Sequence, residues 1–457
     1  MIDSTRRRLN ASPPEPRVNI TIHRGSHEVG GTCIELQSAG DRLILDVGLP
    51  LFDSHGHPLD LGFRPSQKEL ADRGLLPDAA GLFRGDDRDP PTAIVLSHAH
   101  IDHTGLLPFT KPDVLVYATK GTSQMMLAGS LFAGGPRVDQ DRQRNLPPAN
   151  PARIGCFRMT AYPVDHSVYG AAAILVETDE PDGSTQRLLY SGDLRLHGRK
   201  PGMARDLIEA IRRKGPIDTL LMEGTSLGFP DDAPKPQPSD RTILRAADEY
   251  ELEDEITSRL SDHDGPALAH FSPQNVDRLV TFFKAAVRSG RQLVVDPYTA
   301  FVLHLLRGTG RYPLPTADGP VRLLLPNDYE QRLRYRPVRR HIAGYVGTAI
   351  SRDELRLTPE RFVTLFRPSM RSDLGTLLPG TLLFHSAYAG YLDGRDWRAL
   401  EAELEEHNGQ IMQAHIGGHI RRGDIASFVE AIGPKHVVPI HTFNRDDLFA
   451  LTHRSSQ

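Results

Sequence analysis

The segment Ser97-His98-Ala99-His100-Ile101-Asp102-His103 sets four metal-ligand side chains within six residues, directly after the apolar run 93–96. Where a strand ends, residues i and i+2 project to the same side, so His98 and His100 can grip one metal ion. A turn after them would carry Asp102 and His103 elsewhere, to hold a second ion as in two-metal hydrolases. The bland alternative is a polar loop with solvated histidines. Ligand-type side chains this dense at a strand end favour the metal reading.

Other ligand-type residues also close short apolar runs: Asp46 after LIL, His166 after YPVD, Asp193 after LLYSG, Glu223 after LLM and His441 after VVPI. Each alone is weak, because a histidine after a strand is more often a satisfied surface or core residue and Ser-Gly-Asp is a common turn. Together they gain a spatial meaning. Reactive groups of α/β sheets gather beyond one end of the strands, so these strand ends point to one shared site.

The elements that must position them are legible in outline. Residues 18–24, 32–37 and 42–47 are β-rich runs separated by glycine or aspartate turns and predict an antiparallel meander. Strands at 93–96 and 113–118 then flank the histidine cluster, and Thr122 is placed to cap a helix over SQMMLAGSLF. This alternation predicts an α/β layer structure. After Leu220 a buried-strand pattern gives way to FPDDAPKPQPSD, with four prolines among polar residues, which marks a domain boundary. Beyond it the pattern predicts an acidic helix over 243–260, an apolar segment ALAHFS, a helix over 276–289 and a strand QLVVD stopped by Pro297. Strands TLLFH, QIMQAHI and HVVPIH follow, alternating with helices over 397–408 and 424–432.

Composition limits the function classes. At 457 residues the chain is long enough for two or three domains, and 39% hydrophobic with 25% charged residues is ordinary for a folded protein. The net charge of −4 gives no global attraction to nucleic acid or anionic membrane, so any phosphate-binding surface must be local. Cys33 and Cys156 are too few for a disulfide framework or a cysteine-ligated zinc module; they suit a reducing compartment and read as two buried thiols. The opening 1–16 reads as a loose arm. The longest apolar run, 171–176, is far below membrane-spanning length, and a cytoplasmic protein with no membrane partner is expected.

His98-x-His100-x-Asp102-His103, with His166, Asp193 and Asp46, resembles the ligand pattern of the metallo-β-lactamase fold. That resemblance implies an αββα sandwich, two β-sheets between helices, with two divalent metal ions at the sheet edges. Zinc is the usual ion and manganese also accepts such a nitrogen and oxygen mixture. It further implies that His98, His100 and His166 bind the first ion, Asp102 and His103 the second, that Asp193 bridges both, and that Asp46 orders the site from behind. Glu223-Gly224-Thr225, His415-Ile416-Gly417-Gly418-His419 and Pro439-Ile440-His441 resemble three signature motifs of the β-CASP nucleases. They imply an inserted α/β β-CASP cap domain over 225–384, between sandwich segments 17–224 and 385–457, and make His441 a ligand of the second ion. A histidine at the third motif resembles the RNA-acting branch.

The nearest group is ribonuclease J and its prokaryotic relatives, through His-x-x-Gly-His, the terminal Pro-x-His and the opening GSHEVGGTCIEL. Gly417 departs from the serine usual in that group, in a loop that binds RNA phosphate. The chain stops 16 residues after His441, where the group carries a further C-terminal domain, so that group's assembly contacts are not carried over; a homodimer is open.

The resemblance implies a ribonuclease that hydrolyses single-stranded RNA, 5′ to 3′ with or without internal cleavage. Two close ions lower the pKa of a bridging water, and the hydroxide attacks phosphorus in line. Asp102, Asp46, Glu223 and His419 are the expected catalytic residues; His419, held by Glu223, stabilises the phosphate or protonates the departing oxygen. His415, Gly417, Arg421 and Arg422 are the expected RNA contacts. Arg332, Arg334, Arg336, Arg339 and Arg340 form the densest basic stretch, which reads equally well as a solvated helix face. Two alternatives stand beside this one: another hydrolase of the same fold acting on DNA or a small ester, and a non-catalytic RNA-binding pseudo-nuclease. The long insert speaks against a small substrate, His441 against DNA, and the filled ligand positions against a pseudo-nuclease.

Overall fold

A computed structural model describes residues 18–53, 55–62, 65–228, 241–327, 339–374 and 379–453. The expected N-terminal arm, the proline-bearing stretch after Gly228 and Arg332, Arg334 and Arg336 lie outside the described residues.

Two six-stranded sheets face each other. The first begins with the meander Asn19–Arg24, Cys33–Ser38 and Asp41–Leu45, antiparallel as expected, and continues through Ala93–Val95, Leu115–Ala118 and Gln143–Asn145 in parallel. The second runs in spatial order His436–Ile440, Thr219–Glu223, Thr185–Tyr190, Ala172–Asp179, Phe157–Pro163 and Ala152–Ile154. Alternation along the strands sends Ile34, Leu36, Leu43 and Leu45 from the first sheet against Met159, Ile174, Val176 and Leu188 from the second. Helices cover the outer faces: Lys120–Phe132 against the first, Gly202–Lys214 and Arg422–Ile432 against the second. The result is the αββα sandwich of the metallo-β-lactamase fold.

A third sheet of seven parallel strands stands beside the sandwich, in the order Thr242–Ile243, Gln410–Gln413, Leu382–His385, Ala267–His270, Phe362–Leu365, Gln292–Val295 and Val321–Leu323. Strand Gln410–Gln413 corrects the boundary expected at 384. It pairs with Leu382–His385, so the chain stays in the third sheet until about residue 413 and rejoins the sandwich through Arg422–Ile432 and His436–Ile440. The return comes this late because Ala414 and Ile416 still pack in the third-sheet core, whereas Ile420 packs with the helices on the second sheet.

Three local expectations also change. Thr119, not Thr122, caps the helix Lys120–Phe132; its hydroxyl accepts from the Thr122 amide, while the Thr122 hydroxyl donates to the Gly170 carbonyl. The acidic helix begins at Glu249, after the cap Asp248, because 242–243 already form an edge strand. Cys33 is buried, but Cys156 is only half-buried, in a turn where its thiol donates to the Ser38 carbonyl.

Candidate metal centre

Strand Ala93–Val95 ends against Asp46: the Asp46 amide donates to the Val95 carbonyl, and the Asp46 carboxylate accepts from the Ser97 amide at 2.7 Å and the Ser97 hydroxyl at 2.6 Å. The chain then turns, with His100 extended at ψ 152°, into the short helix Ile101–Thr104. That turn separates His98 and His100 from Asp102 and His103. The helix is pinned by bonds from the Thr32, Val47 and Leu49 amides to the Asp102, His103 and Ile101 carbonyls. Gly48 is obligatory at this crossing, since a Cβ there would lie 1.7 Å from the Asp102 carbonyl oxygen.

The second sheet brings the remaining groups. His166 follows Phe157–Pro163, Asp193 follows Thr185–Tyr190, Glu223 ends Thr219–Glu223 and His441 follows His436–Ile440. Asp46 and His441 both hold positive φ, 56° and 50°, a conformation a non-glycine residue adopts at a cost and that occurs at functional sites. The opening loop packs on this end as well: the His441 amide donates to the Gly25 carbonyl, and the Gly30 amide to His441 Nε2.

Among the described residues, His98, His100 and His166 form one group of ligand atoms and Asp102, His103, Asp193 and His441 a second, while Asp193 and His441 also group with Glu223 and His419; the atoms of each group lie within 4.8 Å of one another. Within the first, His100 Nδ1 lies 3.1 Å from both His98 Nε2 and His166 Nε2. Asp193 Oδ2 stands between the groups, 3.2 Å from His103 Nε2, 3.8 Å from His98 Nε2 and 3.9 Å from His166 Nε2. His441 Nε2 lies 3.2 Å from Asp102 Oδ2.

The outward ring nitrogens are already engaged. His103 Nδ1 donates to Asp46 at 2.7 Å, His98 Nδ1 to the Ser97 hydroxyl at 3.0 Å and His166 Nδ1 to the Gly418 carbonyl at 2.5 Å. This fixes the tautomers and turns each Nε2 inward, as outer-shell partners do for metal-binding histidines. Among the described residues, His103 Nε2 and both Asp193 carboxylate oxygens are buried with no well-directed hydrogen bond, although His103 Nε2 and Asp193 Oδ2 are 3.2 Å apart. Buried polar atoms aimed at one point suit a bound cation, and imidazole with carboxylate is a donor set that divalent metals accept. The residues fit a pair of divalent metal ions.

Electrostatics agree. Burial, then neighbouring imidazoles, hold His98 and His166 well below the usual histidine range, and burial brings His100 down to about 4; neutral rings are what a metal requires. Against burial, Asp193, Asp102 and Asp46 raise His103, while imidazoles hold Asp193 and Asp102 ionised. His419 donates to Glu223 at 3.0 Å and lies 3.7 Å from Asp193; although burial opposes its charge, these carboxylates lift it to about 9. Cations seated on Asp193 would remove part of that support.

His415, Gly417, His419 and Arg421 line a cavity of about 360 Å³ beside this centre, together with His197. The Gly417 carbonyl accepts from His197 Nε2 and Arg195, Arg421 donates to the Ala247 carbonyl, and Arg422 is paired with Asp447 on the surface. Arg339 opens the helix Arg339–Val346 on the third-sheet side and Arg340 is exposed beside it.

The sequence did not single out Ser97, Tyr190 or Arg195. Tyr190 donates to Asp46 at 2.5 Å from within the sheet core, and nothing in its spacing marks it. Buried Arg195, two residues after Asp193, reaches Asp165, Glu249 and Asp277; an arginine between leucines so close to a ligand was the available signal.

Residues 75–235 match the family model described as "Beta-lactamase superfamily domain". The chain is 24% identical to ribonuclease J of Mycobacterium tuberculosis over 95% of its own length and 71% of that protein, and 23% identical to ribonuclease J of Pyrococcus abyssi over 91% and 88%. A crystal structure of a protein of unknown function from Enterococcus faecalis superposes with a TM-score of 0.73 at 22% identity, covering 94% of this chain and 96% of that one. The chain thus has a metallo-β-lactamase fold and is similar to ribonuclease J along nearly its whole length.

Proposed function

We propose that the protein is a metal-dependent ribonuclease of the β-CASP type that hydrolyses phosphodiester bonds of single-stranded RNA, from the 5′ end, with internal cleavage as a second activity. The observation that carries this reading is the ligand set itself, with Asp193 between two groups and His441 completing the second, in a chain similar to ribonucleases over almost its full length. The fold alone would allow many hydrolytic reactions.

His98, His100 and His166 would hold one ion and Asp102, His103 and His441 the other, with Asp193 within reach of both groups; zinc is the favoured metal and manganese the alternative. When bound, two such cations neutralise a phosphodiester and lower the pKa of a water between them. Asp46 holds His103 and, through Ser97, His98. His419 faces the centre from the side of the smaller cavity, oriented by Glu223. From there it stabilises charge on the phosphate oxygens or gives a proton to the departing oxygen. His415, Gly417 and Arg421 form the wall against which the strand lies, and Arg422, engaged with Asp447, is the weakest of the expected contacts. No described helix is long and apolar enough to cross a membrane, and two free thiols suit a cytoplasmic setting.

The test is a time course on 5′-phosphorylated single-stranded RNA and matched DNA carrying a 3′ label, with zinc or manganese and with Asp102→Ala as control. Stepwise shortening of RNA from the 5′ end, little action on DNA and none by the variant is the expected result. Internal fragments alone would make it an endonuclease. If neither polymer were cut by protein holding two ions, the reading would fall and small esters would be the next substrates.

A further inference from the structure

A second cavity, of about 810 Å³ and with none of the residues that line the His419 cavity, has a size that suits a small organic ligand or part of a polymer. Its floor is the metal loop at Ala99, His100 and Ile101. Its wall is built from the segments that leave the carboxyl ends of the parallel third sheet: Ser272 after Ala267–His270, Asp296 after Gln292–Val295, Leu324 after Val321–Leu323 and Arg367 after Phe362–Leu365. Open parallel sheets bind ligands at that edge. Here the edge opens onto the metal groups.

Two features of the wall indicate what it takes. Arg367 is ion-paired with Asp296, yet its Nη1 is buried with no hydrogen-bond partner among the described residues. Tyr391, in the turn after Leu382–His385, is 59% exposed and meets Tyr388 edge to face at 5.7 Å. An aromatic ring open to solvent in the same cavity as His100 suits a partner that joins a flat apolar group to a phosphate. Exposed Ile101 lies on the same floor.

We infer that this cavity holds a nucleoside of the RNA strand next to the cleaved bond, with its base stacked on Tyr391. The inference rests on the ribonuclease reading and assigns that reaction a positioning residue. Stacking on an aromatic ring accepts every base, so Tyr391 sets affinity and register rather than sequence preference.

The experiment is a cycle between the tyrosine and the base. The parent, Tyr391→Ala and Tyr391→Phe, each with metal content verified, are given single-stranded RNAs in which one abasic ribose is moved through the positions flanking the cleaved bond. Tyr391→Ala is expected to raise KM about tenfold with kcat little changed, and Tyr391→Phe to keep the parental KM. At one position the abasic RNA raises the parental KM by a similar factor and adds nothing in Tyr391→Ala. Additive penalties at every position, a parental KM in Tyr391→Ala or a Tyr391→Phe variant as poor as alanine would each overturn the inference while leaving the ribonuclease reading intact. A parent that cuts no RNA would sink both.

Discussion

Asp46 illustrates how much of the centre depends on a residue that meets neither group of ligand atoms. Its carboxylate accepts from Ser97, His103 and Tyr190 at once, and through Ser97 it also steadies His98. Asp46→Ala should weaken metal affinity by about 10- to 100-fold, the usual effect of losing an outer-shell partner. Competition with a chromophoric chelator measures it, and unchanged affinity would mean the histidines orient themselves. His419→Ala should leave metal content intact but lower kcat on RNA by about 100-fold or more, the usual size of a proton-transfer contribution. A normal kcat at full metal loading would remove His419 from the chemistry. The ligand groups were legible in the sequence because strand ends are readable and ligand-type residues are uncommon there. Tyr190 and Ser97 were not, because their role depends on Asp46 arriving from another strand.

Between the elements, one buried ion network joins the third sheet to the sandwich. Arg195, beside the metal centre, reaches Asp165, Glu249 and Asp277; Arg278, from helix Val276–Arg288, reaches Glu249 and the Ala414 and Ile416 carbonyls that lead into the His419 loop. Burial opposes the Glu249 charge, but Arg278 and then Arg195 hold it down at about 2. Because the folded-state value lies below the ordinary 4.5, its contribution is complete above pH 4.5 and is lost as the pH falls from there towards 2. Glu249→Gln leaves two buried arginines short of a partner and should cost about 3–5 kcal/mol at neutral pH, measured by urea unfolding, with a flatter acid limb. His385 behaves in the opposite way at neutral pH. It is fully buried at a third-sheet strand end, stacked with His270 and edge-on to Trp397, and neither ring nitrogen has a hydrogen-bond partner among the described residues. Burial first, then His270, brings it down to about 3, so it disfavours the folded state increasingly as the pH falls below 6.5. His385→Phe should therefore raise stability by about 1 kcal/mol at neutral pH and more at pH 5; equal or lower stability at both would show that the nitrogens are satisfied. The strands and helices themselves followed from alternation and turn residues, whereas the late return from the third sheet did not. Parallel pairing such as 382–385 with 410–413 depends on a crossover whose partner no local pattern names.

At the scale of the whole molecule, the metal centre is a cross-link. His98, His100, Asp102 and His103 come from the edge of one sheet, His166, Asp193 and His441 from the edge of the other, and the third sheet closes over them. Asp102 and Asp193 are both buried there, and burying two carboxylates close together is unfavourable unless cations lie between them. Ligand binding to the folded state alone adds about 2.7 kcal/mol when the free ligand is at 100 times its Kd, and two bound ions would each contribute such a term. Stripping the protein with a chelator should thus lower its melting temperature, and adding back zinc or manganese should restore it in a concentration-dependent way. Asp193→Ala should respond differently. Without the bridge, one buried carboxylate is gone, so the stripped variant loses some repulsion while the loaded variant loses affinity, and the gap between stripped and loaded melting temperatures should shrink. Differential scanning calorimetry of both proteins in both states measures the four values. If the parent melted at the same temperature with and without metal, the two groups of side chains would be a polar seam between sheets, and the ligand roles assigned to them would fall.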